Sequence, residues 1–533
     1  MKSQYYRLLI IITLTTGLFQ TTLAQQIEVV TSKPDYNIGS TAIHKIIGHD
    51  SAGFYILKYH NSRYYIEKLD KELNLMLEEP LKLYEGLKTT YEFQTVVHFS
   101  GELLVFVSLA RSNEVILYYQ KIDKNNLRPA SDWIYVATIK YLKGNWPDFY
   151  FTYSRQEKKL MIACQMKLYW SKVLSYELYV FNENLELEWR SKDFFNYEGL
   201  GPRENHYLVD EFGNVSILSL QKRENLSSLW SDKRNIYTIY RWTGNGKVFK
   251  EYSVTLGERY IRGIRIIGGA HGELVCAGFY SEIFRKGMRG TFFFRIDPND
   301  GEIYDRRLNP FDDALFSRFM ELDEPTMDKN EEIIQYVFTD MVLRGNDKIM
   351  LIAEQFFDQP YDTYNNIIIT CYDTTGNVYW NQVIEKRQNF NFRSLDRIRT
   401  FHYQSLEKVQ VEHSGYRDYI METGEFYPEV ENYCSYALMA PLDETGIMLF
   451  FNDDIRNMDQ SDKRKNFNRP RKSYILAVMV DEYGNISSQP VQEYKKKGLP
   501  PEPIRFYDTR YNCIVIPSFK GYKFNYNKIT ARF

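Results

Sequence analysis

Residues 347–384, DKIMLIAEQFFDQPYDTYNNIIITCYDTTGNVYWNQVI, read as strand, loop, strand, tight turn, strand. Lys348 to Gln355 is a mostly apolar run, and Asn366 to Tyr372 is rich in the β-branched and aromatic residues that suit a pleated surface. Asp373-Thr374-Thr375-Gly376 has turn chemistry, because Asp bonds back onto its own backbone and Gly accepts positive φ; Asn377 to Ile384 follows as the last strand. Ile349 to Ala353 and Ile367 to Cys371 are apolar on successive residues, the pattern of a strand covered on both faces. A sheet of this kind needs neighbours, so relatives of the unit are expected along the chain.

The apolar strand that opens the unit recurs as GFYILKYH (53–60), ELLVFVSLA (102–110), KLMIACQM (159–166), NVSILSLQ (214–221), ELVCAGFY (273–280), KIMLIAEQ (348–355), GIMLFFND (446–453) and CIVIPSF (513–519). Most copies are followed by a second strand, a polar turn and a third, as in ELYVFNENLELEWR (177–190) and FFFRIDPNDGEIYDR (292–306). The eighth, YKFNYNKITARF (522–533), runs to the chain end. Spacing is roughly 50–60 residues for the first four intervals and then about 75, 98 and 66, which is compatible with propeller blades. Short strands at regular intervals, without helical periodicity or a Pro/Ser-rich linker, predict an all-β protein. The expected architecture is a β-propeller of four-stranded antiparallel sheets, with eight blades favoured over seven. Two stacked β-sandwiches are the competing arrangement. The longest interval holds an insertion at about 394–440 with a candidate hairpin, Lys408 to His413 and Tyr419 to Tyr427; it reads as an excursion from one blade or as a ninth.

The chain has 533 residues, 44% hydrophobic and 26% charged, which excludes a wholly disordered protein. An aromatic share of 16%, with 44 Tyr and 34 Phe, leans toward β structure, and a net charge of −2 exerts no general pull toward nucleic acid or membrane. Lys2 and Arg7, an apolar stretch from Leu8 to Leu18, and the small-residue site Thr22-Leu23-Ala24 predict a signal peptide over 1–24. The stretch is short of the ~20 residues of a spanning helix. The mature chain, 25–533, is then one domain, periplasmic or extracellular, with no integral membrane segment and no Cys at the cleavage site to carry a lipid. Its Leu-Ala-Gln-Gln ending resembles cleavage sites of exported proteins in Bacteroidota-like bacteria. Cys164, Cys276, Cys371, Cys434 and Cys513 are scattered and read as small core residues, although one long-range disulfide is compatible with export.

The run Asp373 to Trp380, with echoes at Asp297 to Tyr304 and Asp481 to Ile486, is similar to the D-x-x-x-G-x-x-x-W repeat of pyrroloquinoline-quinone-like (PQQ-like) propellers. The resemblance covers the turn and outer strand of several blades. Members of that family that bind the quinone use adjacent cysteines and a calcium site. No two cysteines here are neighbours, so no cofactor is expected; other relatives are scaffolds of the bacterial envelope.

In a propeller, the loops from second to third strand share a face with the connections between blades. With the recurring pair taken as second and third strands, that face gathers Lys167, Tyr169, Trp170 and Lys172; Arg223, Trp230, Lys233 and Arg234; Arg285, Lys286 and Arg289; and Phe357, Tyr361 and Tyr364. Its densest stretch holds Lys463, Arg464, Lys465, Arg469, Arg471 and Lys472. Arg forks carboxylates, and aromatic faces stack on sugars or on Arg, so this face predicts a non-enzymatic binding or scaffold protein for an acidic protein surface or an anionic polysaccharide. Nucleic acid is not an expected partner. A carbohydrate-active hydrolase or lyase with its site at the central opening is the competing reading. Asp312-Asp313, Glu331-Glu332 and Asp453-Asp454 are paired acids without catalytic spacing, and HExxH, GxSxG and P-loop signatures are missing. No catalytic residue and no metal site is assigned from sequence.

Overall fold

The computed structural model describes residues 27–36, 43–60, 63–85, 89–141, 146–168, 172–197, 202–222, 235–283, 287–321, 332–333, 336–345, 347–357, 363–389, 414–416, 433–458, 464–469, 472–494, 500–503, 505–520 and 523–533. They form eight antiparallel four-stranded blades of a β-propeller, spanning 43–80, 92–140, 148–196, 202–254, 260–310, 336–384, 437–494 and, for blade 8, 505–531 together with 27–31. The recurring apolar strands are the second strands throughout, and the strand preceding each is the innermost. Among the described residues no helix is long and apolar enough to cross a membrane.

Parity along the inner strands explains the continuous apolar runs. In blade 6, Ile349, Leu351 and Ala353 pack toward blade 5, whereas Met350 and Ile352 pack toward blade 7. The paired third strand does the same, with Ile368 and Tyr372 on one side and Ile367, Ile369 and Cys371 on the other. Alternate side chains of a strand leave opposite faces, so a strand between two neighbours must be apolar at every position. The core is accordingly a set of wedges between adjacent blades around the ring.

Blade 8 is closed by the opposite end of the chain. Ile27–Thr31 lies antiparallel to Lys523–Ala531, from Ile27 beside Ala531 to Thr31 beside Asn527, and supplies the fourth strand that the carboxyl-terminal repeat lacks. Residues 1–26, which include the expected signal peptide, lie outside the described residues, as do both strands of the candidate hairpin in the insertion. Of 394–440, Ser414–Tyr416 pairs with the innermost strand of blade 8, and residues 433–440 lead into and form the first strand of blade 7.

The residues of the repeat motif latch one blade to the next. The Asp373 carboxylate accepts from the backbone N–H of Thr375 and Asn377, and Asp481 does the same for Tyr483 and Asn485. Gly376 and Gly484 close these turns at φ +83° and +84°. Trp380, on the outer strand of blade 6, donates its indole N–H to the Glu482 carbonyl in the turn of blade 7 at 3.0 Å, and a Cβ on Gly484 would lie 2.8 Å from the ring. Trp189 of blade 3 meets Gly246 of blade 4 in the same way, and Tyr252 of blade 4 donates to the Gly301 carbonyl of blade 5. Trp380→Ala is expected to cost about 2 kcal/mol of unfolding free energy, from a half-buried aromatic and its hydrogen bond. Gly484→Ala should also destabilise, through positive φ and the missing space, and denaturant titration reads both.

Candidate functional site

Antiparallel strands reverse at every turn, so the turns from first to second strand open on the same mouth of the ring as the Asp–Gly turns, opposite the long loops. Four innermost strands, Ile43–Asp50, Glu92–Phe99, Asp148–Tyr153 and Arg505–Asp508, end at that mouth. With the turns that follow, they enclose an axial pocket of about 640 Å³. A strand end at the axis has no further strand on its inner side, which frees its last side chains from core packing and lets them be polar.

The pocket is lined by titratable and aromatic groups. His49 Nδ1 lies 2.9 Å from the Tyr507 hydroxyl, and its ring sits over Phe54 and edge-on to Tyr511. Burial, with the Arg510 charge beside it, pushes the His49 pKa down, so the ring is neutral near pH 7. Burial also pushes the Tyr507 hydroxyl well up and keeps it protonated. Asp50 loses hydration, but bonds from Lys124 at 2.8 Å, the Ala52 N–H and the Tyr55 hydroxyl outweigh that loss and hold its carboxyl at about 2. Glu157 moves the other way: burial raises it, against Arg510 and the Ser100 N–H at 3.0 Å.

Arginines lace the turns together across the axis. Arg155 of blade 3 donates Nη2 to the Leu343 carbonyl of blade 6 at 2.8 Å, and Arg510 of blade 8 donates to the Arg155 carbonyl while covering the Tyr153 ring. Arg344 of blade 6 donates to the carbonyls of Pro441, Glu444 and Gly446 in blade 7. Asp508, buried among them, accepts the Arg510 N–H at 2.8 Å, and burial carries its pKa up to about 7.

Of the residues expected on the loop face, Trp170, Trp230, Arg234, Arg285, Tyr361, Lys463 and Arg471 lie outside the described residues. Of the other loop-face candidates, Lys465, Arg469 and Lys472 are exposed. Arg289 stacks on Phe316. Tyr364 is buried with Tyr433, Cys434 and Phe467. Arg464 is turned inward, 2.7 Å from the buried Asp453 carboxylate, which also accepts from Asn457 and Tyr474. Phe467 is buried, and its backbone bonds to Arg387 and Asn389 of the preceding blade tie this basic loop down. The paired acids are structural where described: Asp312 caps the helix Asp313–Glu321, here α1, and Glu332 accepts from Ser281 and the Glu282 N–H. All five cysteines are free. No cluster of three His, Cys, Asp or Glu suited to a metal stands among the described residues.

The innermost strands were not resolved by sequence reading, and with them His49, His98, Arg155, Tyr507, Asp508 and Arg510 were missed. One signal marks them. Aligned on the second strands, the position four residues before the start holds His49, His98, Arg155, Asp210, Arg344 and Thr509, polar in six of the eight repeats.

No family model matches the chain, and no curated protein does. Among solved structures, an uncharacterised protein from Listeria monocytogenes EGD-e is similar over 81% of this chain and 94% of its own, at 8% identity and a TM-score of 0.33. An ulvan lyase of polysaccharide lyase family PL25 is similar over 93% and 95%, at 7% identity and 0.35. The polysaccharide lyase Uly1 is similar over 94% and 98%, at 8% identity and 0.35. Likeness at this level says nothing of function.

Two consequences are measurable. Arg464→Ala leaves a buried carboxylate without its charged partner and should cost about 1–2 kcal/mol in chemical denaturation, discounted for the 26% exposure of the Arg464 side chain. Asp508 has a folded pKa near 7 against an unfolded value of about 3.9, so the native state holds the extra proton between those limits. Its contribution is complete below about pH 4 and is lost as pH rises through 7. Asp508→Asn, which keeps an acceptor for the Arg510 N–H, should flatten the fall in thermal stability across that window.

Proposed function

We propose that the protein is an exported binding propeller for an anionic glycan, whose charged unit sits in the axial pocket. The observation that carries this reading is the composition of the pocket wall. Lys45, Arg155 and Arg510 stand there with Tyr507 and Tyr511, the latter 61% exposed; Arg155 and Arg510 also hold the Leu343 and Arg155 carbonyls, which fixes their guanidinium groups at the wall. Guanidinium groups fork a carboxylate or sulfate, and an exposed aromatic ring stacks on the apolar face of a sugar. A recess of about 640 Å³ falls in the usual range for small-molecule sites, which favours a sugar unit over an acidic protein surface. The export part of the reading is supported by the leader-like residues 1–24.

One observation favours a second reading, glycan hydrolysis. Glu157 and Asp50 line the same pocket, burial raising the first and the bonds to Lys124, Ala52 and Tyr55 lowering the second, a divergence of the kind that separates acid from base in a carboxyl pair.

Calorimetric titration with uronate-containing, sulfated and neutral oligosaccharides tests both. Binding confined to the anionic sugars is expected, weakened about tenfold by Tyr511→Ala, as for loss of one stacking contact. Neutralising Lys465, Arg469 and Lys472 should leave the affinity unchanged. Binding of none of the sugars, or binding abolished by the loop changes alone, would sink the pocket assignment. Product release that disappears in Glu157→Gln would replace binding with hydrolysis.

A further inference from the structure

We infer that His98 reads a ligand hydroxyl, so that the axial pocket takes a sugar acid in preference to a simple anion. This rests on the axial pocket being the ligand seat, and it adds what the ligand must carry besides charge.

His98 is the penultimate residue of Glu92–Phe99, lines the pocket and is 6% exposed. Its Nε2 has no hydrogen-bond partner among the described residues. Buried polar atoms nearly always have partners, and an unpartnered one on a residue that lines a cavity points to a ligand or water atom there. The atom is also held in place, as a recognition group must be. On one side stands Gly48, where a Cβ would lie 2.1 Å from His98 Cβ and 2.4 Å from Cγ. The adjoining strand pair shifts register between Ile46 and Gly48, and any larger residue at 48 would displace the imidazole. Close by, the Tyr55 ring stacks on His98 at 5.8 Å and 19°, with the Tyr55 hydroxyl fixed on Asp50.

The charge state selects the kind of ligand atom. Burial, with Lys124 and His49 nearby, brings the His98 pKa down to about 4, so the ring is neutral in ordinary conditions. A neutral imidazole carries one donor and one acceptor, and a hydroxyl can complement either, whereas a carboxylate oxygen can only accept. The cations suited to a carboxylate, Arg155 and Arg510, belong to other blades, so one sugar can present its acid group to them and a hydroxyl to His98. A bound hydroxyl would give Nε2 the partner it lacks among the described residues, and an analogue lacking that hydroxyl would leave the atom unpaired.

The test is calorimetry on the full chain with a glucuronate-containing disaccharide, its monodeoxy analogues and acetate. On the wild-type protein, one monodeoxy analogue should bind about 10–100-fold more weakly than the parent, and acetate weaker still. His98→Phe should lose a similar factor for the parent sugar and nothing for that analogue. His98→Gln, which restores an amide donor and acceptor, should recover part of the difference, and Gly48→Ala, which displaces the imidazole while leaving residue 98 a histidine, should mimic His98→Phe. Equal binding of every deoxy analogue by the wild-type protein would overturn the inference even where the parent binds well. So would a loss in His98→Phe that is the same for all analogues, since that marks a packing role. Failure of any anionic sugar to bind would remove the pocket reading as well.

Discussion

The whole architecture depends on one burial requirement: a blade's second and third strands must be covered on both faces, and a four-stranded sheet cannot cover itself. Leu274–Ser281 and Ile447–Asp454 are buried at every residue, and a strand in that state is stable only between two other sheets. Each blade therefore needs two neighbours, and a row of such blades has no stable end until it closes. Closure is supplied by Ile27–Thr31 on Lys523–Ala531, which turns the two chain ends into one sheet. Burial of apolar area, at roughly 25 cal/mol per Å², is thereby distributed around the ring, and the axis itself is left without a hydrophobic core.

That distribution separates the residues that repeat from those that differ. The Asp–Gly turns and the Trp or Tyr that docks on the next blade recur because every interface poses the same geometric problem. Gly484 has to be glycine, since its φ is +84° and the Trp380 ring fills the space of a Cβ. The ends of the innermost strands face no such common demand. Residues as different as His49, His98 and Asp508 therefore stand at the same register position in three blades, opposite Phe54, Leu103 and Ile514, without disturbing any wedge of the core.

How much was legible follows from the same division. The second and third strands and their turns announce themselves, because double-faced burial demands unbroken apolar runs and positive φ demands Gly; eight copies of GFYILKYH-like strands were enough for the propeller and its blade count. The innermost strands are half-polar and short, and DFYFTY or RFYD lacks the pattern that marks a strand, so the residues at the axis went unassigned. The fourth strand of blade 8, IEVVT, was hidden differently, for it lies some 500 residues from its partner and nothing local links them. On the loop face, charge was legible but its direction was not: Arg464 counts as one more cation in a basic run, yet a buried Asp453 eleven residues away turns it inward.

The axial arginines complete the argument about the pocket. A guanidinium brought to the middle of a ring loses water, and it stays only if fixed acceptors replace that water. Here most of the acceptors named are backbone carbonyls of opposing or adjacent blades, Leu343 for Arg155, Arg155 for Arg510, and Pro441, Glu444 and Gly446 for Arg344. Such carbonyls can be held rigidly only because the blades behind them are wedged in place. The same burial that excludes a core from the axis thus sets its polar groups in fixed positions, and a site assembled from several blades inherits the rigidity of the ring.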